Sequence, residues 1–396
     1  MKRRTFLTNT GLAVLGSMTF PNFLKGIKLG DELDDRRALV VIQLGGGNDG
    51  LNMIVPFAND IYYRERPTLS LGKAEVLKLN DDSGLNAQMA ALLPFYHNGE
   101  MLIINDVGYP EPDRSHFRSM DIWQSGSASN ERINTGWLGR FADQVEGPLA
   151  KHHLLELNDK LSLAVKGKTY KALAFQNANN FYHTTREPFF TDAATMHQHQ
   201  HDHHKVSYLY HTLADAQLSA AAIKEKLNFQ HSSFIYPKEP LANQLKHVAE
   251  LIQAYIGTKA YYVGMSGFDT HVQQKGIQNK RLKSLAESLA VFISDLKRNK
   301  NFDNTLVMVF SEFGRRVKEN AAGGTDHGTA NNVLLLGGQL KKKGMLNDIN
   351  NLSDLDEGDL KYKVDFRNIY ATILDRWLDT PASNVLSGGI NYLNFI

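Results

Sequence analysis

Apolar residues in this chain gather in short unbroken runs rather than in strict alternation. Leu39–Leu44, Met101–Val107, Ala260–Met265, Thr305–Phe310 and Asn332–Leu336 are five such runs. Continuous apolar runs of this length suit parallel strands covered on both faces. Between them the spacing changes to that of amphipathic helices. Arg281–Arg298 places Leu282, Leu285, Leu289, Phe292, Ile293 and Leu296 on one face, and Asp365–Leu378 does the same with Phe366, Ile369, Tyr370, Ile373, Leu374 and Trp377 behind an Asp365 N-cap. Asn86–His97 and Ser115–Ser125 read as shorter helices. Strand and helix in alternation predict an α/β fold, a three-layer α/β/α sandwich on a mostly parallel sheet. The stretch from about 147 to 251 is more polar and helical, with short strand candidates at Leu161–Val165 and Ala172–Phe175. It reads as an insertion or cap on a main domain spanning 31–396.

Composition narrows the function classes. With 42% hydrophobic residues over 396 positions, the chain can bury a large core. Its 44 basic and 42 acidic residues leave a net charge of +2, so charge gives no reason to expect nucleic acid or an anionic membrane as partner. Cysteine is absent, which excludes disulfides, thiol catalysis and thiolate-bound zinc. Residues 1–30 carry Arg3-Arg4-Thr5-Phe6-Leu7 and a mild apolar stretch from Gly11 to Phe20, the pattern of a twin-arginine export signal. That stretch is too short for a permanent membrane span. A periplasmic or secreted protein, handled by the twin-arginine translocase, is the expectation.

Candidate chemistry stands at the ends of the predicted strands. Gly45-Gly46-Gly47-Asn48-Asp49-Gly50 follows the first run. Phe268-Asp269-Thr270-His271 and Ser311-Glu312-Phe313-Gly314-Arg315 follow two others, and Gly324-Thr325-Asp326-His327-Gly328 precedes a fourth. In open α/β sheets the carboxyl ends of strands line the ligand crevice, and carboxylates with imidazoles there suit a divalent metal. Each residue also has a plainer role. Asp49 could be a turn residue, Ser115 only an N-cap, Glu312 the ion-pair partner of Arg315 or Arg316. The tract His197–His204 holds five imidazoles and reads as a solvated helix start that binds metal weakly or as a metal-loading or substrate-gating segment.

Together with Arg114-Ser115-His116-Phe117, these motifs resemble the domain of unknown function family 1501, in the family's order and over nearly the whole chain after the signal. That family is similar to the alkaline-phosphatase-like superfamily, which includes sulfatases. The resemblance implies Asp49, Asp269, His271, Glu312 and His327 as ligands of two divalent ions. Zinc, manganese, magnesium and calcium suit such donors. It implies Ser115 as nucleophile, with Arg114 and His116 for anion binding and proton transfer; His116 could instead be a ligand. The implied substrate is a phosphate or sulfate ester of a small molecule or glycan. One departure stands out. The superfamily has an Asp-His pair where this chain has Glu312-Phe313, and Phe313 cannot bind metal. A non-catalytic, metal-stabilised binding or secretion-associated protein on the same scaffold is the alternative.

Overall fold

The computed structural model describes residues 36–145, 152–196, 204–228, 231–349 and 351–396. The Arg3-Arg4 signal and the imidazoles at 197–203 lie outside the described residues. The central sheet is built from β1 (Ala38–Gly45), β2 (Met101–Gly108), β3 (Leu154–Glu156), β4 (Leu173–Ala174), β5 (Ala260–Ser266), β6 (Thr305–Ser311), β7 (Asn331–Leu336), β8 (Gly344–Met345) and β9 (Val364–Asp365). Their order across the sheet is β8-β2-β7-β6-β1-β5-β3-β4, with β9 also paired to β2. β1 lies parallel to both β5 and β6, while β7 runs antiparallel to both β2 and β6. The sheet is therefore mixed and mostly parallel, with β7 reversed.

Helices α1 (His116–Ser125), α2 (Pro240–Ala254), α3 (Gln274–Arg298) and α4 (Phe366–Arg376) cover its two faces. Val40, Ile42, Val263 and Val307 pack with Leu245 of α2 and Leu285, Leu289 and Phe292 of α3. On the opposite face Leu39, Val41, Leu102 and Met308 pack with Trp123 of α1 and Ile369, Tyr370 and Ile373 of α4. Burial on both sides is why the strand runs carry no polar alternation. Asp365 caps α4 as expected, accepting from Arg367 N at 2.9 Å.

The structure differs from the sequence reading in three places. Asn86–His97 is not one helix: a 3₁₀ segment at Ala87–Leu92 hands over to a short α-turn at Leu93–His97, where Pro94 is accommodated in the first turn. α3 begins at Gln274, seven residues before the expected start at Arg281, because polar Gln274 and Gln278 are buried there by hydrogen bonding rather than by hydrophobicity. In the 147–251 stretch the strand expected at Ala172–Phe175 is present as Leu173–Ala174, but its neighbour is Leu154–Glu156, and the two extend the main sheet beside β5. Leu163–Val165 is a 3₁₀ turn.

Candidate metal centre

The parallel strands β1, β2, β5 and β6 all point their carboxyl ends to one edge of the sheet. β7 is reversed, so its beginning lies at that same edge. Loops that follow four strands thus meet the loop that precedes a fifth. His116 opens α1 after β2, Asp269 and His271 come from the loop after β5, and Glu312, Phe313 and Arg315 come from the loop after β6. His327 reaches the same edge because it precedes β7. A short antiparallel pairing holds His327 in register: Gly314 N donates to Thr329 O, Gly328 N to Gly314 O and Arg316 N to Asp326 O, at 2.8, 2.9 and 3.1 Å. Two glycines permit the close packing around this edge. At Gly46 (φ +117°) a Cβ would stand 2.3 Å from Asp269 N, and at Gly47 (φ +71°) it would stand 2.2 Å from the Phe313 ring.

Three imidazoles converge on one carboxylate oxygen. His271 Nε2, His327 Nε2 and His116 Nε2 lie 3.0, 3.3 and 3.4 Å from Asp269 Oδ1. His116, Asp269 and His327 offer donor atoms all within 4.8 Å of one another. His271 Nε2 lies beside this group, 3.0 Å from His327 Nε2. Separations of this size suit donors that surround one small ion, since a tetrahedral zinc shell with bonds of ~2.1 Å sets its ligand atoms ~3.4 Å apart.

Partners behind the rings orient them. His116 Nδ1 lies 2.9 Å from Glu312 Oε1, and His327 Nδ1 lies 2.8 Å from the carbonyl of Arg114. With each Nδ1 donating its proton outward, each Nε2 lone pair is left facing Asp269. His116 Nε2 is buried and has no hydrogen-bond partner. The bond to Glu312 raises the His116 pKa, while burial lowers that of His327. Burial alone would raise the Asp269 pKa, but Arg315, at 2.8 Å, outweighs it and holds the carboxyl at about 2. The side chains present, including an orphaned buried imidazole nitrogen, therefore fit a divalent ion.

The expected residues divide. Asp269, His271 and His327 come together, and the His116 ring joins them. Phe313 offers no imidazole, and the ring grouped with Asp269 and His327 is that of His116, the first residue of α1. Phe313 itself is buried, its ring centroid 4.8 Å from those of His116 and His327. Glu312 is fully buried behind His116; it accepts from Gly46 N at 2.8 Å and supports the ring instead of joining the donors. Asp49 is not among the grouped donors and forms an ion pair with Arg66 at 2.6 Å. Ser115 is exposed at the N-cap of α1 and makes no side-chain capping bond. The Arg114 guanidinium turns away to Asp359, 2.7 Å from Nε, and to Glu357 at 3.5 Å. Sequence reasoning does not find Arg66 and Arg315 as the partners of Asp49 and Asp269, because nothing local to a lone Arg indicates which distant carboxylate it meets.

The family model for "Protein of unknown function (DUF1501)" matches residues 99–379. The chain belongs to that family. No curated protein matches it. Among solved structures, it is similar to the lipoteichoic acid synthase LtaP from Listeria monocytogenes, at 10% identity over 94% of this chain and 81% of that one, with a TM-score of 0.44. A putative sulfatase, yidJ from Bacteroides fragilis, is similar at 13% identity over 91% and 80% of the two chains, with a TM-score of 0.43. The zinc complex of the C-terminal periplasmic domain of EcEptC from Escherichia coli follows at 10% identity over 78% and 75%, with a TM-score of 0.38. No helix among the described residues is long and apolar enough to cross a membrane.

Proposed function

We propose that this DUF1501 protein is an exported, metal-dependent hydrolase of phosphate or sulfate esters. The observation that carries the reading is the convergence of three imidazole Nε2 atoms on Asp269 Oδ1 within 3.0–3.4 Å, at the strand-end edge of the sheet. His116, Asp269, His271 and His327 are the residues that would hold the ion. A divalent ion bound there supplies Lewis acidity, polarising an ester oxygen and stabilising negative charge.

The chain's own groups support this chemistry. Glu312 and the Arg114 carbonyl hold the Nδ1 sides of His116 and His327, which aims both Nε2 atoms inward. Arg315 keeps Asp269 ionised down to a pH of about 2. The Ser115 hydroxyl, exposed one residue before His116 and unused in capping, is the candidate nucleophile. The unpaired amides in the first turn of α1 favour an anion beside it. Small-molecule or glycan esters are the substrate class, and Arg3-Arg4 would direct export by the twin-arginine translocase.

One pair of observations favours the second reading, a metal-stabilised protein without turnover. His116, Asp269 and His327 are the grouped donors, and His271 Nε2, 3.0 Å from both Asp269 Oδ1 and His327 Nε2, is at hand as a fourth that would fill a tetrahedral shell. The Arg114 guanidinium is also already engaged by Asp359 and Glu357. Assay of aryl phosphates and sulfates with zinc, manganese, magnesium or calcium added back separates the two. The hydrolase reading expects turnover that falls by roughly 10³-fold or more in Ser115→Ala with ion content unchanged, and that is lost together with the ion in His327→Ala. A parent protein that retains its ion yet turns over no ester would establish the second reading.

A further inference from the structure

The superfamily resemblance implies a second ion at Asp49, and the residues around Asp49 do not fit one. Asp49 and Arg66 are both fully buried, with side-chain exposures of 1% and 0%. Two donors, Arg66 Nη1 and Gln274 Nε2, reach Asp49 Oδ2 at 2.6 and 2.5 Å. Oδ1 is buried without a hydrogen-bond partner, which taken alone would favour a cation. Against that stands a permanent positive charge on the same carboxylate. No second carboxylate or imidazole joins Asp49 either: among the described residues, the group able to hold an ion is His116, Asp269 and His327.

The oxygens near Asp49 are already arranged around the guanidinium. Arg66 donates to Asp49 Oδ2, to Asn52 Oδ1 at 3.0 Å, and to the carbonyls of Arg316 and Val317, both at 2.8 Å. One carboxylate and three carbonyl-type oxygens form the kind of shell that a hard cation takes. Here its centre is the guanidinium of Arg66.

We propose that Arg66 is a built-in cation which takes the place of the second divalent ion, so that the protein binds one ion and not two. The guanidinium also joins the loop after β1 to Arg316 and Val317, next to the Arg315 that grips Asp269. The closed site at Asp49 thereby braces the open one. This inference concerns ion number and does not depend on turnover.

The test is elemental analysis after equilibration with excess zinc, manganese, magnesium or calcium and removal of free ion. It compares the parent, Asp49→Asn and the double variant Asp49→Asn/Arg66→Met. The double variant removes both buried charges together, so a folded protein carrying no Asp49 carboxylate can be measured even if the single variant does not fold. Ion content per chain should be the same in the parent and in each folded variant. A second ion per chain in the parent that is missing from the variants would overturn the proposal. Loss of turnover in Ser115→Ala with ion content unchanged bears on the hydrolase reading alone, so the two ideas fail separately.

Discussion

Two carboxylates at one edge of the sheet each meet an arginine, and they end in opposite conditions. Asp269 is about half exposed, at 49%, and shares its Arg315 contact with three imidazoles. Asp49 is sealed at 1% exposure, with Arg66 and an amide as its donors. The residue pair is the same, so the pair does not decide the role. Neighbours and water do. An arginine that leaves one face of a carboxylate open lowers its pKa and keeps it available as a ligand. An arginine enclosed with it in the core turns it into a strut, since neither charge can then be exposed or removed without loss.

The largest expected effect tests that contrast. Arg66→Ala leaves Asp49 uncompensated in the core and should cost about 3–5 kcal/mol in urea denaturation. Asp269→Asn should cost less in the ion-free protein, because Asp269 is half exposed and the buried Arg315 keeps the carbonyls of Gly46, Gly47, Phe268 and Thr325 as partners. Similar losses from the two variants would abolish the distinction drawn between them.

A third carboxylate shows what happens with no arginine at all. Glu156 in β3 is buried, and burial pushes its pKa up to about 7, against hydrogen bonding from Ser162 that lowers it. Its folded pKa is above its unfolded value of 4.5, so the neutral form stabilises the fold fully below pH 4.5. That contribution is lost as pH rises through about 7. Between pH 4.5 and 8 the parent should therefore lose on the order of 3 kcal/mol that Glu156→Gln does not lose. Parallel stability profiles for the two proteins would show that Glu156 is ionised in the native state.

Much of the fold is legible in the sequence. The five apolar runs fall within β1, β2, β5, β6 and β7, because strands covered on both faces need apolar side chains at every position. The loops bearing Asp269, His271 and His327 are legible for a related reason: polar groups that directly adjoin buried strands must emerge at the sheet edge. The direction of β7 is not legible, since an apolar run reads the same both ways. Nor is the fate of Asp49, which depends on an arginine seventeen residues away whose side chain folds inward. The same limit hides the division of labour between His116 and Glu312. Their contact spans 196 residues, and sequence spacing carries no information at that range.

A smaller effect sharpens the open site. Glu312→Gln should leave the fold intact but lower ion affinity by about 10–100-fold, the usual consequence of losing the carboxylate behind a ligating imidazole. Titration calorimetry would measure it, and unchanged affinity would mean that His116 needs no support. The smallest expected change is in the stability of Ser115→Ala. Because Ser115 makes no capping bond, the variant should shift unfolding by under ~0.5 kcal/mol, where a true cap costs ~1. A loss near the larger figure would make the capping role sufficient to explain a serine at this position.

The reversed strand β7 has a consequence for biosynthesis. His327 meets the carbonyl of Arg114 across 213 residues, and it does so from the segment that leads into β7. A chain still emerging from the ribosome would hold His116, Asp269 and His271 long before His327 arrived. On the proposed reading, tight capture of an ion would be a late event that waits until the segment leading into β7 has docked at the sheet edge. Should Arg3-Arg4 direct the chain to a route that carries folded cargo, an ion held at that edge would mark it as ready to leave.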